Sequence, residues 1–254
     1  MTDLRHHLSA ILPQAVRDHL PPIQSMQFLG QGSRNRHWRL HTAEQVYIWR
    51  EFGVTPPGAN RQLELKVLET LQPKPWVPRL ELCLPEGVLF VADANAEPMQ
   101  DTLNPHQRQQ LLHAVVTLWQ HPFDVAPNDY VQLIHDYAVL AGPSYDALAE
   151  QLLAICCHWN TKDFCLIHQD LHPGNLLITD QGIQLIDWEY AVRGNPWIDA
   201  VALQRMLGLS PAERQLLETR LPDLGCNDPW QVMGHWLTQL DSLWQAAQKA
   251  QSVV

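Results

Sequence analysis

Between Leu166 and Glu189 the chain carries polar residues in an order that suggests catalysis: His168, Asp170, Asn175 and Asp187. A strand-forming stretch leads into His168-Gln-Asp170, Asn175 follows five residues after that Asp, and Asp187 stands at the exit of a hairpin's second strand. One carboxylate able to take a hydroxyl proton, with an amide oxygen and a second carboxylate on a magnesium ion, is the set that phosphoryl transfer to a hydroxyl requires. The spacing has a physical reason. Mg²⁺ takes hard oxygen ligands in an octahedron and keeps substrate phosphate in its shell, so two protein oxygens from adjacent segments suffice. A plain hairpin with Asp and Asn as turn formers accounts for Asp180 but not for four polar groups in this order. A competing reading makes His168, Asp170 and His172 the ligands of a hydrolytic metal, because alternate residues of an extended strand point the same way; it leaves Asn175 and Asp187 idle.

Phosphoryl transfer also needs a cation for the phosphates and a carboxylate to orient it. The stretch Val46-Tyr-Ile-Trp-Arg50 ends in Arg50, a permanently charged planar donor able to grip phosphate oxygens. Downstream, winding at about 100° per residue places Glu64 within the arc of Leu63, Val67, Leu68 and Leu71, whereas Glu69 falls opposite. A carboxylate on a buried face needs a partner, and Arg50 is the natural one. A phosphate-covering turn is expected at Gly30-Gln-Gly32-Ser33-Arg34-Asn35, where the glycines let backbone amides approach an anion and Ser33 adds a donor. Asn35 occupies the place of the third glycine in G-x-G-x-x-G.

The elements that must hold these groups follow from the local pattern. After a helix ending near His19, residues 26–29, 37–42 and 46–51 read as short strands separated by Gly or polar turns. A helix is predicted over 59–71, ended by Pro73, Pro75 and Pro78, and strands over 80–84 and 88–91 flank a Pro-Glu-Gly turn. The pattern dissolves in the polar stretch 93–100. We therefore expect an N-terminal lobe at 1–92, a hinge at 93–100 and a C-terminal lobe at 101–254. That second lobe reads as mainly helical, with Asn104 as N-cap ahead of Pro105, a helix at 145–159, a capping box at Ser210-Pro-Ala-Glu213 and a terminal helix beginning at Asp228-Pro229. Strand signals return only at 164–167, 176–179 and 183–186.

Composition narrows the function classes. Lys and Arg total 17 against 27 Asp and Glu, a net charge of −10 that repels phosphate backbones and anionic lipid, so neither nucleic acid nor membrane is expected as a partner. The opening residues lack a signal peptide's apolar stretch, and a cytoplasmic protein is expected. Five cysteines without a C-x-x-C pair suggest neither a disulfide framework nor a zinc knuckle. The ten Trp residues offer either core rings or π faces for a cation.

The runs Leu29-Gly-Gln-Gly-Ser-Arg-Asn35, Tyr47-Ile-Trp-Arg50, Glu64, His168-Gln-Asp-Leu-His-Pro-Gly-Asn175, Leu185-Ile-Asp-Trp-Glu-Tyr190 and Asn195-Pro-Trp-Ile-Asp199 resemble the aminoglycoside phosphotransferase and choline kinase family. The run Ile186-Asp-Trp-Glu-Tyr-Ala191 is most similar to its choline and thiamine kinase branch. The resemblance implies an α+β, two-lobed, protein-kinase-like fold: a small antiparallel-sheet lobe with one helix, above a mainly helical lobe. It also implies ATP and Mg²⁺ in the cleft and transfer of the γ-phosphate to a hydroxyl of a small molecule. Asp170, as the base, and His168 would be the catalytic residues, and Asn175 and Asp187 the metal ligands. Gly32, Ser33, Asn35, Arg50 and Glu64 would serve the nucleotide. Asp199 would brace the catalytic loop or, alternatively, cap a helix starting near Ala200. Glu189 would assist the metal through water. An acidic chain with many Trp suits a cationic alcohol, thiamine ahead of choline, and His172, Glu189, Trp188, Trp197, Trp236 and Trp244 are its candidate contacts. Another small-molecule acceptor such as an aminoglycoside, or a catalytically silent nucleotide-binding module, are the alternative readings.

Overall fold

In the strand Val46–Glu51 (β3), Tyr47 and Trp49 face an apolar core while Ile48 and Arg50 face a cavity, the alternation that a half-buried strand imposes. The computed structural model describes residues 8, 10–31, 35–100 and 102–251. β3 lies at the centre of an antiparallel sheet with Ser25–Gln31 (β1), Arg36–His41 (β2), Arg79–Leu84 (β4) and Gly87–Ala92 (β5), in the order β1-β2-β3-β5-β4. Its upper face, with Leu40, Tyr47, Trp49 and Leu89, packs on Val16 of the short helix Gln14–His19 (α1). Gly87 is required where β5 crosses β3, because a Cβ there would lie 2.3 Å from the carbonyl oxygen of Arg50.

The helix Arg61–Leu71 (α2) is capped by Asn60, whose side chain accepts from the amide of Leu63. Its buried residues split between two tasks. Val67, Leu68 and Leu71 join the larger, C-terminal core, while Glu64 turns to the cavity. That core is built from Pro105–Trp119 (α3), Tyr130–Ala141 (α4), Asp146–Cys156 (α5), Trp197–Leu207 (α6), Pro211–Glu218 (α7) and Pro229–Gln251 (α8). Asn104 and Ser210 both form the expected capping boxes, with Gln107 and Glu213. Two small sheets carry the loops between helices: Cys165–Ile167 (β7) pairs with Val192–Gly194 (β10), and the hairpin Leu176–Thr179 (β8) and Gly182–Leu185 (β9) takes Glu97–Pro98 (β6) at its edge.

The N-terminal antiparallel sheet and the helical C-terminal part are the expected α+β architecture. Two details differ from the sequence reading. The stretch before residue 145 contains a full helix, α4, where none was predicted, and the polar segment 93–100 is tied to the second part through β6 and the bond from the Met99 amide to the Leu176 carbonyl, 2.9 Å. No helix among the described residues is long and apolar enough to cross a membrane.

Candidate active site

The loop after β7 is shaped by a buried carboxylate. Asp199, in the first turn of α6, accepts the backbone amides of His168 at 3.0 Å and Gln169 at 2.9 Å and the indole N–H of Trp119 at 3.2 Å. It lies inside its helix, so the alternative of an N-cap near Ala200 does not apply. Gln169 has φ 67°, a left-handed conformation costing a non-glycine residue about 1–2 kcal/mol. Besides the Asp199 bond, the Tyr130 hydroxyl holds it by donating to its side-chain oxygen at 2.6 Å.

Asp170, next in the chain, is part-buried at the cleft. Asn175 donates from Nδ2 to both the carbonyl and the Oδ2 of Asp170, each at 2.9 Å. His172 accepts the Gly174 amide on Nδ1, which leaves the ring proton on Nε2, 3.7 Å from Asp170 Oδ2. Burial alone would raise the Asp170 pKa; the His172 and His168 rings and the Asn175 amide outweigh it and hold the carboxyl below its ordinary value. His172 is correspondingly pushed up, mainly by Asp170.

His168 departs from its expected catalytic role. Its ring is fully buried, lies 4.5 Å from the Trp188 ring and bonds through Nε2 to the Ile186 carbonyl at 3.0 Å, so it ties the catalytic loop to the segment leading to Asp187. With His168 turned inward, the hydrolytic His168–Asp170–His172 cluster is not assembled, and no group of three or more His, Cys, Asp or Glu side chains among the described residues could hold a metal.

Asp187 closes the site from the other side. It too is left-handed, with φ 62°, and the amide of Ile186 bonds the Asn175 carbonyl at 3.0 Å, which places the Asn175 and Asp187 segments side by side. The donor set suits Mg²⁺. Asn175 spends its amide hydrogens on Asp170, no donor among the described residues reaches its Oδ1, and the Asp187 carboxylate has only Oδ1 engaged, by Arg50 at 2.7 Å.

Arg50 is the centre of a buried charge network. It forms a short ion pair with Glu64, bonds Asp187, and reaches Glu189 at 3.1 Å. Burial opposes its charge, but these carboxylates outweigh that and hold the guanidinium pKa above its ordinary value. Arg61, which the sequence reading missed, contacts Glu64 at 3.0 Å and Glu189 at 2.9 Å and donates to Asn35 Oδ1 at 2.6 Å. The available signal was its position three residues before Glu64 at a helix start, a spacing that pairs charges. Burial, then Asp187, pushes the Glu189 pKa up despite both arginines. Asn35, expected to meet phosphate, is instead buried and donates to Glu189 at 3.2 Å. Gly32 and Ser33 lie outside the described residues.

A cavity of about 500 Å³ opens beneath the sheet, a size usual for small-ligand sites. Ile48 and Phe90 form its roof, Leu177 and Ile186 its floor, and Arg50, Asn175 and Asp187 its polar end. Trp188 borders it but is buried, its N–H on the Leu185 carbonyl at 2.9 Å. Trp197 and Trp236 are core residues, correcting the expectation of acceptor contacts: their N–H groups bond the carbonyls of Pro222 at 2.8 Å and Leu152 at 3.1 Å. Trp244 is only part-buried and donates to the Tyr190 hydroxyl at 3.1 Å. The Tyr190 and Trp244 rings meet edge to face with centroids 6.2 Å apart, and Asp241, on the same helix as Trp244, is paired with Arg205 at 2.8 Å.

No curated protein matches the chain in sequence. Its fold is similar to that of choline kinase LicA from Streptococcus pneumoniae, with a TM-score of 0.76 at 19% identity over 96% of this chain and 92% of that one. It is also similar to a choline/ethanolamine kinase family protein from Mesorhizobium loti, with a TM-score of 0.68 at 18% identity over 99% and 87%. A macrolide 2′-phosphotransferase from Brachybacterium faecium superposes with a TM-score of 0.61 at 18% identity over 92% and 89%. Complexes of these neighbours include LicA with AMP. The model of the phosphotransferase enzyme family matches residues 100–236, just over half of the chain and the part that holds Asp170, Asn175 and Asp187. The chain therefore belongs to the phosphotransferase enzyme family, and its fold is the one seen in small-molecule kinases such as the choline kinase and the macrolide 2′-phosphotransferase.

Proposed function

We propose that this kinase transfers the γ-phosphate of ATP to the hydroxyl of a small cationic alcohol of the thiamine or choline type. The observation that carries the reading is the convergence of Asn175, Asp187 and Arg50 at the polar end of the cavity, with Asp170 held directly behind Asn175 by its amide at 2.9 Å. The apolar roof and floor, Ile48, Phe90, Leu177 and Ile186, suit a purine ring between them. Asn175 Oδ1 and the Asp187 carboxylate would hold Mg²⁺, which when bound supplies charge neutralisation at the phosphate oxygens. Asp170 is ionised at neutral pH and takes the acceptor's hydroxyl proton as that oxygen bonds phosphorus and the bond to the departing ADP oxygen breaks. Arg50, oriented by Glu64, serves the phosphates. Asp199 and Tyr130 fix the loop so that the base has one position.

The preference for a cation rests on the acceptor side. Asp170 offers a carboxylate, Tyr190 and Trp244 offer aromatic rings, and the whole chain carries a net charge of −10. Ring faces attract quaternary ammonium and thiazolium groups, and carboxylates add to that attraction. ADP release with Mg·ATP should be measured against thiamine, choline, ethanolamine, aminoglycosides and homoserine. Turnover with thiamine or choline, and a rise in the KM for that acceptor in Trp244→Leu, is the expected result. Turnover with an aminoglycoside or homoserine alone would replace the cationic alcohol, and no turnover with any hydroxyl acceptor would leave a silent nucleotide-binding module.

A further inference from the structure

Arg50 is asked to serve phosphate, yet every carboxylate bond it makes is already formed within the protein. Its NH1 is on Glu64, and its NH2 is shared between Asp187 and Glu189. Nε is buried and unpartnered, and both N–H groups of NH2, the nitrogen on Asp187, are spent on Asp187 and Glu189; for NH2 to meet a phosphate oxygen it must leave them while both glutamates stay in place. Glu189 is 5% exposed, so without a second cation it would be an uncompensated buried charge once NH2 moved, and the fully buried Glu64 would keep NH1 alone.

Arg61 is placed to provide that compensation. One nitrogen, NH1, bridges Glu64 Oε2 and Glu189 Oε2, and NH2 holds Asn35 Oδ1. Asn35 in turn donates to the same Glu189 oxygen and takes the Gly53 amide at 3.4 Å. The guanidinium lies 4.5 Å over the Phe52 ring, a contact that fixes its plane. Through these bonds the end of the turn after β1, the start of α2 and the segment after Asp187 are clamped by one side chain that does not border the cavity.

We infer that Arg61 is a positioning residue for nucleotide binding: it neutralises Glu64 and Glu189 so that Arg50 can exchange Asp187 for phosphate. This rests on the reading that Mg·ATP binds at Asp187 and Arg50. Arg61→Gln is therefore compared with Arg61→Lys and Asp187→Ala, with the KM for Mg·ATP and for the acceptor measured separately. Arg61→Gln is expected to raise the Mg·ATP KM roughly 10- to 100-fold, the usual effect of removing a group that supports metal ligands, with the acceptor KM little changed. Arg61→Lys, which keeps the charge, should recover part of the loss. An unchanged Mg·ATP KM in Arg61→Gln beside a strong loss in Asp187→Ala would overturn the role of Arg61 alone. No effect in Asp187→Ala would overturn the underlying site as well. If Arg61→Gln fails to fold, Arg61→Gln combined with Glu189→Gln removes both charges. A Mg·ATP KM equal to that of Glu189→Gln supports the coupling, and a further independent loss contradicts it.

Discussion

Gln169 and Asp187, the non-glycine residues with positive φ among those described, flank the groups that phosphoryl transfer needs. Strain at such positions persists only where surrounding bonds over-determine it. For Gln169 those bonds come from Asp199 and Tyr130, so Tyr130→Phe is expected to cost about 1 kcal/mol of stability and to lower kcat several-fold with the Mg·ATP KM unchanged. Denaturant unfolding and steady-state kinetics check this, and an unaltered kcat would show that Asp199 alone holds the loop. Asp170, Asn175, Asp187, Arg50 and Glu64 were legible because each has a fixed place relative to a strand or helix end. Arg61 and the fate of the Trp rings were not. An arginine at a helix start looks like any solvated charge, and an indole that fills a core has the same composition as one that lines a pocket.

At the scale of elements, the strands and hairpins that carry the site were readable from period-two alternation and turn residues. The helix α4 was not, although Asp129 caps it and Tyr130, Ile134, Tyr137 and Ala138 form its buried face. Val131 and Val139 stand on its exposed side and smear the apolar stripe that the eye would follow. Beyond the site, α3, α6 and α7 are joined by Arg108. It pairs with both oxygens of Glu213, one at 2.8 Å, and donates to the last carbonyls of the α6 end at Leu207, 2.9 Å, and Gly208, 3.3 Å. That hydrogen-bonded pair lowers the Glu213 pKa to about 2. A depressed carboxyl pKa contributes stability that is complete above the ordinary value and is lost as pH falls through the folded one. Arg108→Met is expected to destabilise the chain by about 1–3 kcal/mol near pH 7. Thermal melts should show the gap to the parent narrowing as pH drops from 5 towards 3. A gap independent of pH would mean that the carbonyl bonds, not the ion pair, supply the effect.

Across the whole molecule, two cores meet at the cleft and charge ties them together. The sheet's core lies above Arg50, and the helical core includes Val67, Leu68 and Leu71 of the same helix that carries Glu64. Glu64 and Asp187 thus hold one arginine from the sheet against groups anchored in the larger core. The two-part architecture followed from the change of periodicity near residue 92, whereas the pairing of β6 with β8 did not, since two residues are too short to show alternation. The acidic balance, read in the sequence as an argument against nucleic acid and membrane and for a cationic acceptor, now has named members at the site: Asp170, Asp187, Glu64 and Glu189. The most direct measurement is phosphorus NMR of a mixture of Mg·ATP and each acceptor, with the parent chain and with Asp170→Asn. A new phosphate-ester signal should grow with the ADP signals in the parent and form roughly 10²- to 10⁴-fold more slowly in Asp170→Asn, while ATP still binds. Ester formation at the parental rate in Asp170→Asn would contradict the assignment of Asp170 as the base at the centre of this site.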